Sequence, residues 1–360
     1  MIAFRNKVKS FFLQLVRLGI GHHGDVLCES VDWNDLWALA ERQGLSAVIL
    51  DGLERLPEEQ RPSKELLLQW IGETLQKEAQ STIQQKTTAD MALLFHHNSI
   101  RTYVLKGMVV AECYPTPSHR YSADMDCFLL PESRDFDAWA LGNEIIMSKG
   151  FEIDTSYYKN STFYLPGLTV ENHRFLTPFR GNSQLKKLEK LLQVLLQEDQ
   201  GEDRFVETWL YRPPVMVTSL FLIEHAYSHF LHEGLTWRHV LDWMLFSRNH
   251  KDEIDWVTLD AFIDEFGFRR FYDSYYHLGQ YLLGEASEDD LAKLDKKMLE
   301  DVWAELDLHE TVRGFKGKLA LVGNTWRAQW KYRFFSKDNM LKALWIQVKG
   351  FVFIKDPKLN

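Results

Sequence analysis

The chain has 360 residues, 45% hydrophobic and 26% charged, with 12 Trp and 23 Phe. At roughly 100–200 residues per domain this suggests two domains, or one core with a large helical extension, and it excludes a disordered chain, a collagen-like chain and a coiled-coil rod. The net charge of −9 argues against duplex nucleic acid as the main partner.

Residues 1–100 read as helical. At the N-terminus Phe4, Val8, Phe11, Phe12 and Leu15 fall at helical spacing, and Gln14 and Arg17 interrupt the apolar run, so the segment reads as an amphipathic helix rather than a signal peptide. Asp32 is placed to cap a helix whose apolar stripe is Trp33, Leu36, Trp37, Leu39 and Ala40. After a break at Pro57 and Pro62, a long helix is expected over about 64–99. The three cysteines, Cys28, Cys113 and Cys127, have no CxxC spacing, which disfavours a disulfide framework or a cysteine zinc site and fits a reducing compartment. No 18 consecutive apolar residues occur, so no membrane span and a cytoplasmic location are expected.

The pattern changes near Arg101. A β-prone run, Thr102 to Leu105, leads through Lys106-Gly107 into a short helix stopped by Pro115 and Pro117. An extended run follows, Asp124-Met125-Asp126-Cys127-Phe128-Leu129-Leu130, then a helix over 136–149 and strand-like pieces at 151–154, 161–165 and 168–175. Residues 101–182 are therefore expected to form a small α/β core in the order β-α-β-α-β-β-β. A helical domain is expected over 183–324, with helices near 185–199, 214–233, 235–249, 255–266, 268–283 and 289–305. The overall class is α+β, with N-terminal helices and a larger C-terminal helical domain flanking the mixed sheet.

Asp124 and Asp126 are two apart in a strand and so share a face. Paired carboxylates repel and raise each other's pKa unless a cation sits between them, and a hard divalent ion prefers such oxygen ligands. Glu171, on a later strand, is the natural third carboxylate for a two-metal site at phosphorus. At the strand-to-helix junction Gly107 allows close backbone approach to a phosphate, and Lys106 and Arg120 supply positive charge.

The run Leu105-Lys106-Gly107, Tyr114-Pro115, Arg120 and Ala123-Asp124-Met125-Asp126, followed by Val170-Glu171-Asn172-His173, resembles the uncharacterised nucleotidyltransferase family of the polymerase-β-like superfamily. The stretch Glu224-His225 to His229-Phe230, with Gly234, Arg238 and Asp242-Trp243, is similar to that family's helical part. Ala123 stands where Gly is frequent, and Lys106-Gly107 stands where the wider superfamily has Gly-Ser. The resemblance implies transfer of a nucleoside monophosphate from a nucleoside triphosphate to an acceptor hydroxyl, with release of pyrophosphate. Mg²⁺ or Mn²⁺ would sit on Asp124, Asp126 and Glu171, and Lys106, Gly107 and Arg120 would hold phosphates. His173, His225, His229, Arg238 and Asp242 would lie on the acceptor side.

His225 and His229 also have a plainer reading, a hydrogen-bonded pair at a domain interface; Ala226 breaks the H-E-x-x-H zinc pattern. No Walker A sequence, G-x-G-x-x-G or G-x-S-x-G is present, so P-loop, Rossmann and hydrolase readings lack support. The tail over 325–360 holds eight Lys or Arg against two Asp, interleaved with Trp and Phe. It reads as a helical cap, or else as a contact for an anionic surface. The alternative for the whole chain is a non-catalytic nucleotide-binding or interaction protein on the same fold.

Overall fold

A computed structural model describes residues 2–23, 31–133, 136–179, 182–232, 234–304 and 329–336. Cys28, the side chains of Phe4 and Arg5, and residues 325–328 and 337–360 of the basic-aromatic tail lie outside the described residues. Six strands form one mixed sheet: β1 (Ile100–Val104), β2 (Asp124–Pro131), β3 (Ile153–Asp154), β4 (Asn160–Leu165), β5 (Leu168–His173) and β6 (Leu210–Tyr211). Their order across the sheet is β3-β4-β5-β2-β1-β6. The central β2 pairs antiparallel with β1 and parallel with β5, and β6 runs parallel to β1.

The N-terminal helices are α1 (Ile2–Gly19), α2 (Trp33–Arg42), α3 (Ser46–Glu54) and α4 (Lys64–His96). Asp32 caps α2, accepting from the backbone N–H groups of Asn34 and Asp35, as its position in the sequence suggests. The core carries α5 (Met108–Ala111) and α6 (Ala138–Ser148). The C-terminal half supplies α7 (Ser183–Glu198), α8 (Val215–His232), α9 (Trp237–Asn249), α10 (Trp256–Glu265), α11 (Arg269–Leu283), α12 (Glu288–Lys293), α13 (Lys296–Ala304) and α14 (Gln329–Phe335). The class is α+β, and the stretch 101–182 keeps the expected element order. Among the described residues no helix is long and apolar enough to cross a membrane.

Two elements differ from the sequence reading. The helix expected over 289–305 is two helices, because Asp295 accepts from the Met298 N–H and starts a new N-terminus. Strand β6, of two residues, is too short to carry a period-2 signal, yet it extends the sheet beyond β1.

Alternation along β2 decides what faces what. Met125, Cys127 and Leu129 pack with Phe95 of α4, Ile146 of α6 and Val170 of β5. Beneath β5, Asn143 accepts hydrogen bonds from Asn172 and Ser161, fastening α6 to that face. Asp124, Asp126 and Phe128 therefore point to the other face, toward α8 and α9. There one apolar cluster runs from Phe12 through Tyr103, Phe128 and Trp243 to Phe335, so the four segments read from the sequence share a core. In α14, Tyr332 and Phe335 are buried and Lys331 pairs with Asp301 at 2.8 Å, an inward-packed cap for those eight described residues of the tail.

Helices α1 and α3 approach at two glycines. A Cβ on Gly52 would stand 2.2 Å from the Leu15 carbonyl oxygen, and one on Gly19 2.0 Å from that of Val48. Backbone cannot yield as a side chain does, so Gly52→Ala should separate the pair and cost about 1–3 kcal/mol. A urea midpoint that falls with an unchanged slope is the expected result; an unchanged midpoint would show that the helices do not meet there.

Candidate functional site

Strands β2 and β5 run parallel with Asp126 opposite Glu171, which brings the carboxylate face of one strand to that of the other. Asp126 is almost wholly buried, while the Glu171 side chain keeps about a third of its surface exposed. Asp126 is held from two sides. His173 Nε2 donates to its Oδ1 at 2.9 Å and stands 3.7 Å from Glu171. The other ring nitrogen, Nδ1, faces the Phe175 carbonyl at 3.2 Å. Both nitrogens thus meet acceptors, which assigns His173 as an imidazolium. Lys106 Nζ stands 3.0 Å from Asp126 Oδ2 and 3.3 Å from His225 Nε2.

The protonation states follow from these contacts. Burial alone would raise the Asp126 carboxyl, but Lys106 and His173 outweigh it and hold it well below the usual range. Burial works against the His173 and Lys106 cations too, and the neighbouring carboxylates lift both pKa values back above normal. Asp124 is raised, first by burial and then by Asp126 beside it. Glu224 of α8 is buried with Oε1 lacking a hydrogen-bond partner among the described residues, and burial pushes its carboxyl up to about 7.

Lys106 and Gly107 occupy the turn between β1 and α5. Gly107 has φ +50° and ψ −104°, a conformation that a Cβ disfavours, and it caps α5. Its Cβ position is otherwise open, with Ser122 Oγ the nearest group at 3.9 Å. The constraint is therefore backbone geometry, not crowding.

The opposite wall is helical. Arg120, just before β2, makes a buried two-pronged pair with Asp242 of α9, at 2.6 and 3.2 Å. Tyr114 donates to the same carboxylate at 2.7 Å. Arg238 donates to the Tyr121 carbonyl at 3.2 Å. One guanidinium nitrogen of each arginine, Arg120 Nη1 and Arg238 Nε, is buried without a partner among the described residues. His225 and His239 are depressed well below the normal imidazole range, first by burial and then by nearby cations and rings, so they are neutral.

Lys106, Arg120, Ser122, Asp124, His225, Arg238, His239 and Asp242 line one cleft. It has about 30 Å³ of free space, room for a water molecule rather than for a nucleotide. Asp126, Glu171 and His173 form a second convergence, joined to the cleft through Lys106. His229 reaches it through His225, with ring centroids 4.4 Å apart. Arg120 and Asp242, read separately from the sequence, are partners of each other. His239, Tyr114, Ser122 and Glu224 were not singled out as site residues from the sequence. The signal for His239 was the short 232–237 connection, which sets the end of α8 against the start of α9.

The chain matches the family model described as "Uncharacterised nucleotidyltransferase" over residues 29–284. No curated protein and no solved structure matches it.

The Glu224 carboxyl has a folded pKa above its unfolded one. Its contribution is therefore most favourable below the ordinary carboxylate value and is lost as pH climbs through about 7. Above that point the penalty is about 3 kcal/mol, at 1.36 kcal/mol per unit. Glu224→Gln should raise the urea midpoint in neutral and mildly alkaline buffer and leave it unchanged below the ordinary carboxylate pKa, where the side chain is protonated in both states. Equal effects at both would mean that the carboxyl does not titrate in this range.

Proposed function

The chain belongs to the uncharacterised nucleotidyltransferase family, and from that footing we propose that it transfers a nucleoside monophosphate from a nucleoside triphosphate to a hydroxyl-bearing acceptor. The observation that carries this reading is the shared face of Asp124, Asp126 and Glu171 on adjacent parallel strands, next to the Lys106-Gly107 turn. Family membership supports nucleotidyl transfer as the class of activity.

The residues fit a hard divalent ion. Their donors are carboxylate oxygens, and Asp126 Oδ2 is buried with a lysine ammonium as its charge partner and no well-formed hydrogen bond. Asp124, Asp126 and Glu171 would hold Mg²⁺ or Mn²⁺. When bound, the ion would neutralise phosphate charge and lower the pKa of the acceptor hydroxyl. His173 keeps Asp126 oriented from the opposite oxygen. Lys106, released from Asp126, turns its ammonium to the triphosphate, and Gly107 lets the phosphates approach the backbone. Arg120 and Arg238 each have a spare N–H for a phosphate or acceptor oxygen. Glu171, the more exposed carboxylate, accepts the proton of the attacking hydroxyl. The new bond forms between that oxygen and the α-phosphorus, the bond from α-phosphorus to the bridging oxygen breaks, and pyrophosphate leaves with its electron pair. His225, His229, Arg238 and Asp242 form the acceptor side. The net charge of −9 favours a small-molecule or protein acceptor over RNA.

The Lys106–Asp126 contact favours a second reading, a nucleotide-binding protein that does not turn over. Two measurements separate the readings. A nucleoside triphosphate with Mg²⁺ should stabilise the protein by about 2.7 kcal/mol at a hundredfold excess over Kd, and Asp124→Asn with Asp126→Asn should remove the Mg²⁺-dependent part. Pyrophosphate release with an added acceptor then marks turnover, and stabilisation without it marks the second reading. Absence of a melting shift with every triphosphate would sink both.

Lys106→Met provides an independent check. It strands a buried carboxylate and should cost about 3–5 kcal/mol. Added Mg²⁺ should restore more stability in this variant than in the wild type. If Mg²⁺ has no effect on it, Asp126 is not a ligand.

A further inference from the structure

Three imidazoles meet on the helical wall, apart from the carboxylate cluster. His225 and His229 lie one helical turn apart on α8, and His239 sits in the first turn of α9. One ring nitrogen from each lies within 4.8 Å of the other two. Ring centroids are 4.4 Å apart for His225–His229, 4.5 Å for His229–His239 and 5.7 Å for His225–His239. We propose that His225, His229 and His239 together bind one divalent transition-metal ion of the zinc class, leaving a coordination position open toward the cleft.

Ligand chemistry separates this ion from the one on the sheet. Imidazole nitrogen suits Zn²⁺, Co²⁺, Ni²⁺ and Cu²⁺, whereas Mg²⁺ seeks oxygen. The three rings include no carboxylate, so a hard ion gains little there. His225 and His239 are neutral, the form that ligates. Three protein ligands with a vacant fourth position are the pattern of a reactive zinc site rather than a structural one.

The surroundings also orient the rings. Nδ1 of His239 accepts from the Thr236 backbone N–H at 3.2 Å, with the Thr236 Oγ1 3.0 Å from the same nitrogen, so Nε2 is the nitrogen left for the cluster. In this arrangement the ring carries its proton on Nε2; a metal on Nε2 displaces that proton to Nδ1, where the Thr236 hydroxyl, in place of the N–H, accepts it. Such partners on the non-ligating nitrogen are the usual second layer of a metal site. The Lys106 contact to His225 Nε2 is long, at 3.3 Å, and yields when Lys106 moves to a phosphate. Lys106, Arg120 and Arg238 oppose a dication, and Asp242 and Asp124 on the same cleft offset two of the three charges. The open position therefore favours an anionic oxygen, either a phosphate oxygen or an ionised acceptor hydroxyl.

The test uses the full chain, stripped with chelator and titrated with Co²⁺ as a spectroscopic stand-in for Zn²⁺. One Co²⁺ per chain is expected, with the visible bands of low-coordinate cobalt. His229→Gln and His239→Gln should each weaken binding at least tenfold, with far-UV circular dichroism confirming that the variants are folded. The variant Glu171→Gln, which removes a carboxylate of the sheet cluster outside this cleft, should retain the bands. X-ray absorption at the zinc edge of the wild-type protein should show imidazole scattering, a reading that needs no variant. The proposal is overturned if the bands persist in the histidine variants, if they disappear in the carboxylate variant, if the zinc shell is oxygen only, or if the wild-type chain takes up no stoichiometric Co²⁺. Nucleotidyl transfer could fail its own tests without touching these outcomes, because none of them reads nucleotide.

Discussion

A carboxylate taken almost wholly out of water must be answered by charge, and Asp126 sets that demand at the centre of the sheet. Burying an ionised group without a partner costs several kcal/mol. Here Lys106 meets one oxygen and His173 the other. Each partner comes from a different element, the β1–α5 turn and the end of β5. The electrostatic requirement of one side chain thus fixes three pieces of chain relative to one another. The Leu105 N–H, donating to the Asp126 carbonyl at 3.1 Å, extends the β1–β2 ladder into that turn and holds Lys106 where it is needed.

The segment that delivers Asp124 and Asp126 is itself pinned from two directions. His119 lies between Asp51 of α3 and Glu78 of α4, at 2.8 and 3.0 Å. Burial opposes its protonation, and the two carboxylates outweigh that and raise its pKa. One residue on, Arg120 turns the other way, to Asp242 and through it to Tyr114. N-terminal helices hold one side of this loop and α9 the other. The close α1–α3 packing at Gly19 and Gly52 therefore bears on the site, because it fixes the helix that carries Asp51.

What the sequence revealed was local. Asp124 and Asp126 lie two apart before an apolar run, and strand alternation alone puts them on one face. Lys106-Gly107 at a strand-to-helix junction is equally a short-range signal. What it could not reveal was which distant residue answers which charge. Arg120 reads as a phosphate ligand and Asp242 as an acceptor-side group, but they are 122 positions apart and bind each other. His173 was legible as a site residue, though not as the cation that steadies Asp126, because that role depends on the parallel β2–β5 register and on the Phe175 carbonyl. Strand β6 escaped notice because two residues carry no period.

The two walls of the cleft differ in kind, and one side chain spans them. The sheet wall offers carboxylate oxygens, and the helical wall offers guanidinium N–H groups and neutral imidazoles. Lys106 touches Asp126 on the first and His225 on the second. On the proposed reading, a cation at the carboxylates would compete with the ammonium for Asp126 and free Lys106. A freed ammonium would then share the cleft with Arg120 and Arg238, each of which has one buried guanidinium nitrogen without a partner among the described residues. On the proposed reading, loading of the acidic wall and readiness of the basic wall would be the same event, because the charge leaving Asp126 would be the charge that an incoming triphosphate requires. The small free volume of the cleft fits that order, since Lys106 occupies the ground between the walls.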